Sequence, residues 1–340
     1  MSNLPYSEAW LAGPSSTQFY TRTYTPAPPV STKAAIVFVH GFAEHIGRYT
    51  HFHPLLSARG IAVFAYDQRG FGLTAQDTKG NKSKTSAYGK TCWKDQMADI
   101  KWAVEHTRKS FEGIPVFLMG HSMGGGEVLG FATQGEKSVN HSAIASLAGV
   151  IATSPLIEQA TPASKVAKWV GGQMSNVLPY ILIPAPVNAE YLSHDAELNN
   201  AYLADPLIRP FGSLKGGELL LRTYQKAWPH ELPVVLMHGT DDKVTSYRAS
   251  QLFHDKIQAA SKNIVLFPGG YHELQNEPDG VKEKVAEAVI SFIDDRFTQP
   301  EVASSSPEEV TAVANSEPLV ETTNPAAMTE VAHDSAKAKM

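Results

Sequence analysis

Cysteine is almost missing from this chain, with a single residue, Cys92, among 340. One thiol excludes an intramolecular disulfide and any metal site built from several cysteines. Also missing is a run of the ~20 uninterrupted apolar residues that a membrane-spanning helix needs. The first residues, Met1-Ser2-Asn3-Leu4-Pro5-Tyr6-Ser7-Glu8, have neither the basic nor the apolar region of a secretory signal. These gaps predict a soluble, cytoplasmic protein. Its hydrophobic residues, 43% of the total, would form one large core, or a core plus an inserted subdomain. No basic stripe is present, so nucleic acid is not an expected partner.

Acidity is confined to one end. The formal charge is −5, and seven acids against two bases beyond Pro300 account for all of it. The body is therefore formally neutral. The segment 300–340 is rich in Ser, Thr, Ala, Glu and Pro and has no aromatic residue. Such a composition buries too little apolar surface to offset the entropy of ordering, which predicts a disordered acidic tail.

The body alternates strand-like and helix-like stretches. Short apolar runs at 34–40, 61–66, 116–120, 147–152, 233–238 and 263–267 are bounded by Gly or Pro. Such runs suit strands buried on both faces of a parallel sheet. The stretch 17–24 reads as a strand or hairpin leading into it. Between the runs, Trp93, Met97, Ile100 and Val104 recur at helical spacing behind a cap expected at Thr91. Val281, Val285, Ala288, Val289, Phe292 and Ile293 repeat the pattern near the end of the body. The fold class predicted is α/β, a mostly parallel central sheet flanked by helices. Residues 156–229 break the alternation. They carry Val166, Trp169, Val170, Met174, Val177 and Leu178, then Tyr180-Ile181-Leu182-Ile183 between prolines. We read them as a helical cap or lid over the carboxyl edge of the sheet. The core then runs over 1–155 and resumes over 230–299.

Gly120-His121-Ser122-Met123-Gly124 follows one predicted strand and precedes a helix. G-x-S-x-G in that context is a nucleophile elbow, a turn so sharp that small residues must flank the serine. The hydroxyl then stands at a helix N-terminus, which favours developing negative charge. A serine needs a base, and the base needs a group that holds its tautomer. Of 13 histidines, His272 in Gly270-Tyr271-His272-Glu273 lies between the last strand and the last helix. Asp242 follows the preceding strand in His238-Gly239-Thr240-Asp241-Asp242, and its distance from the strand end favours it over Asp241. Ser122, Asp242 and His272 come in the chain order of an α/β-hydrolase triad. The oxyanion donors expected are the main-chain N–H groups of Met123, after the nucleophile, and of Phe42, after the first core strand. His51-Phe52-His53 reads as a helix surface rather than a metal pair. Asp67-Gln68-Arg69-Gly70-Phe71-Gly72 reads as a turn held by an Asp–Arg interaction. No metal site is expected.

These segments, with His40-Gly41-Phe42-Ala43-Glu44-His45-Ile46-Gly47-Arg48-Tyr49, Ser154-Pro155-Leu156, Asp205-Pro206-Leu207 and Tyr271-His272-Glu273-Leu274, resemble the monoacylglycerol lipases of the α/β-hydrolase superfamily. The stretch from Thr17 and the acidic tail resemble fungal members. The resemblance implies a serine esterase that needs no cofactor and hydrolyses monoacylglycerols to glycerol and fatty acid. It also implies transient contact of an amphipathic lid with a membrane or lipid-droplet surface. Glu44 and Arg48 would lie at the polar pocket for the glycerol head, either touching substrate or pinning the loop as an ion pair. Family members usually have a small residue where Phe42 stands. Lysophospholipase, diacylglycerol lipase and broad carboxylesterase activities share the same triad, and a ligand-binding protein of this fold is the non-enzymatic alternative. Oligomeric state is not legible.

Overall fold

The computed structural model describes residues 4–161, 172–213, 215–216 and 228–298. All belong to the first of two compact units, Met1–Gln299. The expected acidic tail, and Val166, Trp169 and Val170 of the expected cap, lie outside the described residues.

Ten strands are described: β1 (Ser7–Ala12), β2 (Gln18–Tyr24), β3 (Ala34–Val39), β4 (Ile61–Tyr66), β5 (Val116–His121), β6 (Leu147–Thr153), β7 (Leu182–Pro184), β8 (Phe211–Ser213), β9 (Val234–Gly239) and β10 (Lys262–Phe267). Eight form one sheet in the order β1-β2-β4-β3-β5-β6-β9-β10. The pairs β1–β2 and β2–β4 are antiparallel, and every pair from β4 to β10 is parallel. The six core strands fall within one residue of the apolar runs that predict them.

Successive side chains of a strand point to opposite faces, and in β3, β4 and β5 every residue is buried. Ala35, Val37 and Val39 enter one apolar layer while Ile36 and Phe38 enter the other. Helix Trp93–Ser110 covers the first layer with Met97, Ile100 and Val104. Helix Val281–Thr298 covers the second with Val285, Val289 and Ile293. The helix-period readings therefore name the residues that each helix buries.

Three local expectations are corrected. The first long helix starts one residue later than Thr91 implies, with Cys92 in extended conformation at the N-cap; Thr91 is buried and lines the main cavity instead. His53 is not on a helix surface. It is fully buried, and its ring stacks on Tyr49 at 5.4 Å, with Phe38 and Tyr24 edge-on. An aromatic slot of this kind accepts a neutral imidazole as an apolar plate. Asp67 does not pair with Arg69. Its carboxylate accepts from the N–H of Ile46 (2.8 Å) and Leu73 (2.6 Å). Arg69 instead makes a two-pronged pair with Asp99 at 2.9 and 2.7 Å, the geometry that a planar guanidinium prefers.

Between β6 and β9 the chain leaves the main sheet. The two-stranded β7–β8 ladder and the helix Ala196–Ala204, capped by Asp195, lie in this stretch. Its apolar cluster is small: Ala189, Leu192 and Tyr202, with Val187 and Ile208 against it. Met174, Val177, Leu178, Tyr180, Ile181 and Ile183 are left exposed, Val177 by 78%.

Candidate active site

A sharp turn lies between β5 and the helix Met123–Ala132. Ser122 has φ 53° and ψ −116°, a conformation that a residue with a Cβ adopts at a cost of ~1–3 kcal/mol. Close packing explains the flanking glycines. A Cβ on Gly120 would stand 2.3 Å from the Gly124 oxygen, and one on Gly124 would stand 2.2 Å from the Val39 oxygen. The turn is pinned to β6 by the Ser122 N–H, which donates to Thr153 O at 2.9 Å.

Three elements meet at its hydroxyl. Ser122 Oγ lies 2.9 Å from His272 Nε2, and His272 Nδ1 lies 2.8 Å from Asp242 Oδ2. Asp242 also accepts from the N–H of Val244 (2.7 Å) and Thr245 (2.9 Å), and the Thr245 hydroxyl lies 2.8 Å away. A carboxylate so supplied with donors assigns the proton of His272 to Nδ1, which leaves Nε2 free to accept from the serine. Burial pushes Asp242 up, but the facing imidazoles of His272 and His238 outweigh it and hold the carboxyl far below its usual range. Burial pulls His272 down, and Asp242 more than reverses this, leaving its pKa above 6.5. Asp241, the rival acid, is exposed, and its carboxylate accepts from the Thr240 hydroxyl at 3.3 Å.

The triad opens into a cavity of about 500 Å³. Phe42, Phe71, Leu156, Ile183, Val187 and Leu192 line it, with Glu44, Arg48, His121, Tyr202 and Glu273 as polar lining. Met123 is the first residue of its helix, so its N–H has no intrahelical acceptor. Gly41 packs directly against Ser122, and Phe42 follows it in the cavity wall. The Phe42 ring stands edge-on to Phe71 at 5.8 Å.

Glu44 and Arg48 form an ion pair (2.9 Å), as one of the two expectations for them has it, and both also line the cavity. Sequence reasoning misses their third partner. Glu273, directly after the triad histidine, receives both Nη1 (2.5 Å) and Nη2 (2.7 Å) of Arg48. Burial pushes Glu273 up, but the Arg48 guanidinium holds it at about 2. Glu44 accepts as well from the Gly41 N–H and from the Tyr49 hydroxyl.

His238 and Ser154 were missed too. His238 Nε2 donates to Asp242 at 3.0 Å, and the Ser154 hydroxyl donates to His272 O at 2.7 Å. Both stand in quoted motifs, yet only the folded chain shows what they hold. The histidine loop is also laced to the chain between β7 and β8. His272 N–H donates to Tyr191 O, Glu273 N–H to Leu192 O at 2.7 Å, and the Ser193 hydroxyl to Asn276 O at 2.7 Å.

The sequence profile of the family described as serine aminopeptidase, S33, matches residues 30–279. A Schizosaccharomyces pombe protein provisionally named monoglyceride lipase is 31% identical, covering 91% of this chain and 79% of that protein. Human monoglyceride lipase is 27% identical, over 81% of this chain and 88% of its own length. Among solved structures, a soluble variant of Saccharomyces cerevisiae monoglyceride lipase with a substrate analog superposes with a TM-score of 0.74. That pair is 23% identical, with 88% of this chain and 97% of the other covered.

Proposed function

The chain belongs to the serine aminopeptidase S33 family of hydrolases and, within it, to the monoglyceride lipases, and from that premise we propose that it hydrolyses monoacylglycerols through an acyl-enzyme on Ser122. The observation that carries this reading is the unbroken hydrogen-bonded line from Asp242 through His272 to Ser122 in the wall of a mostly apolar cavity. Ser122 Oγ attacks the ester carbonyl and its proton passes to His272 Nε2. The N–H groups of Phe42 and Met123 receive the charge on the carbonyl oxygen. His272 returns the proton to the departing glycerol oxygen, then activates water to release the fatty acid. An acyl chain gains ~0.8 kcal/mol for each methylene that the apolar wall takes from water. At the polar lining Arg48 is already engaged by two carboxylates, so a head group bringing hydrogen-bond donors, such as the hydroxyls of glycerol, fits there best.

Glycerol and oleate release from monooleoyl-, dioleoyl- and trioleoylglycerol and from lysophosphatidylcholine tests the substrate. The monoester should dominate. Faster turnover of the diester or the phospholipid would overturn the reading.

The raised His272 pKa sets the pH dependence. A protonated imidazole cannot accept the serine proton, so kcat/KM on a soluble short ester should fall as pH drops, with a midpoint above 6.5. A midpoint below 6.5 would mean that Asp242 does not hold the charge of His272.

Residues 156–229 act as the cap, and 1–155 with 230–299 as the catalytic core. The support is the row of exposed apolar side chains at 174–183, which suits seating on a membrane or lipid-droplet surface. Replacing Val177 and Ile181 together by serine should lower the rate on vesicle-borne monoacylglycerol roughly tenfold while sparing soluble esters. Equal loss on both substrates would make these residues core rather than contact surface.

A further inference from the structure

The oxyanion donor of Phe42 belongs to one of two peptide planes that meet at Gly41, and those planes carry four polar groups. Three are held. His40 O accepts from Gln68 Nε2 at 2.7 Å, the Gly41 N–H donates to the Glu44 carboxylate, and Gly41 O lies 2.8 Å from His40 Nδ1. The fourth, the Phe42 N–H, has no acceptor among the described residues. The tautomer of His40 follows from its other nitrogen. The Gln68 main-chain N–H donates to His40 Nε2 at 2.8 Å, so Nε2 bears no proton and Nδ1–H donates to Gly41 O. In a trans peptide the C=O and the following N–H point opposite ways. Holding Gly41 O therefore aims the Phe42 N–H.

We propose that His40, locked by Gln68, is a positioning residue of the oxyanion site, fixing the peptide plane whose N–H receives the developing charge. The ring is completely buried and has no route to substrate, so it acts only through that plane. Burial draws its pKa down to about 4, which keeps Nε2 available to the Gln68 N–H across the working range of an esterase. The arrangement also accommodates a phenylalanine at position 42, because the hydrogen bonds that hold the two peptide planes come from His40, Gln68 and Glu44, while the Phe42 ring packs against Phe71. Gln68 belongs to the turn motif after β4, which the triad itself does not use.

The inference rests on Ser122 being the nucleophile, and its test separates the two claims. His40→Asn keeps an N–H near the Nδ1 position, whereas His40→Gln carries its amide toward the Nε2 position. With a soluble short ester, His40→Asn should stay within about fivefold of wild-type kcat and His40→Gln should lose roughly 30-fold, with KM nearly constant in both. The affinity of a trifluoromethyl ketone, which forms a tetrahedral adduct with serine, should fall in step with kcat. Gln68→Ala, which takes away the side-chain donor to His40 O, should lower kcat about fivefold and supplies the answer if His40→Gln fails to fold. Equal losses in the Asn and Gln variants, full activity in both, or a change confined to KM would overturn the proposal. Wild-type protein that neither turns over the ester nor reacts with a fluorophosphonate would instead overturn the serine reading beneath it.

Discussion

Ser122→Ala should lower kcat on monooleoylglycerol by about 10⁶-fold and leave KM and the unfolding midpoint close to wild type. In the mechanism proposed the hydroxyl is the group that bonds to substrate, and it is the nucleophile at the end of the hydrogen-bonded line from Asp242 and His272. Removing it also relieves nothing structural, since the turn is held by the main chain of Ser122 bonded to Thr153 and Leu156. Asp242→Asn should cost less, about 10⁴-fold, because the amide reverses the tautomer of His272 but leaves the oxyanion donors in place. Steady-state rates with acyl-enzyme trapping check both. An alanine variant retaining a tenth of the activity would remove Ser122 from the mechanism.

Arg48→Met should destabilise the protein by about 3–5 kcal/mol, the range for stripping one partner from a buried ion cluster. The side chains involved are nearly enclosed, 10% exposed for Arg48 and 4% for both Glu44 and Glu273. Removing the guanidinium leaves two carboxylates facing the same cavity without their cation. Restoring neutrality should rescue most of the loss, so Arg48→Met combined with Glu44→Gln and Glu273→Gln is expected near wild type in urea unfolding. The pH dependence has a definite sign. Glu273 is held at about 2 against an ordinary 4.5, so its share of stability is present above 4.5 and is lost as pH falls toward 2. The gap between wild type and Arg48→Met should narrow over that window. A loss below 1 kcal/mol at neutral pH would mean that the cluster contributes little.

The core strands were legible because a strand buried on both faces leaves an unbroken apolar run, as Ala34–Val39 does. The meeting of Ser122, His272 and Asp242 was legible because the elbow imposes glycines and a chain order. What stayed hidden depends on distance in space. Nothing near Arg48 in the chain announces Glu273, 225 residues away, and the Asp67–Arg69 expectation failed because both Asp67 oxygens accept main-chain N–H groups, while Asp99 on the helix Trp93–Ser110 meets the guanidinium with two bonds. His53 was misplaced for a related reason. An imidazole reads as polar in a sequence, whereas a slot of aromatic rings takes it as a flat apolar surface.

The three hydrogen bonds that lace residues 191–193 to the loop 272–276 bear on how such a protein can be re-engineered. A designer who exchanges the whole stretch between β6 and β9 for that of another esterase, hoping to change acyl preference, would also remove the acceptors that hold the His272 and Glu273 amides. The recipient would keep its serine turn and lose the seat of its base. Grafts confined to 172–184 keep that lacing and can alter the mouth alone. The stretch between β6 and β9 is thus two modules to an engineer, an exchangeable outer one and an inner one that must travel with the histidine loop.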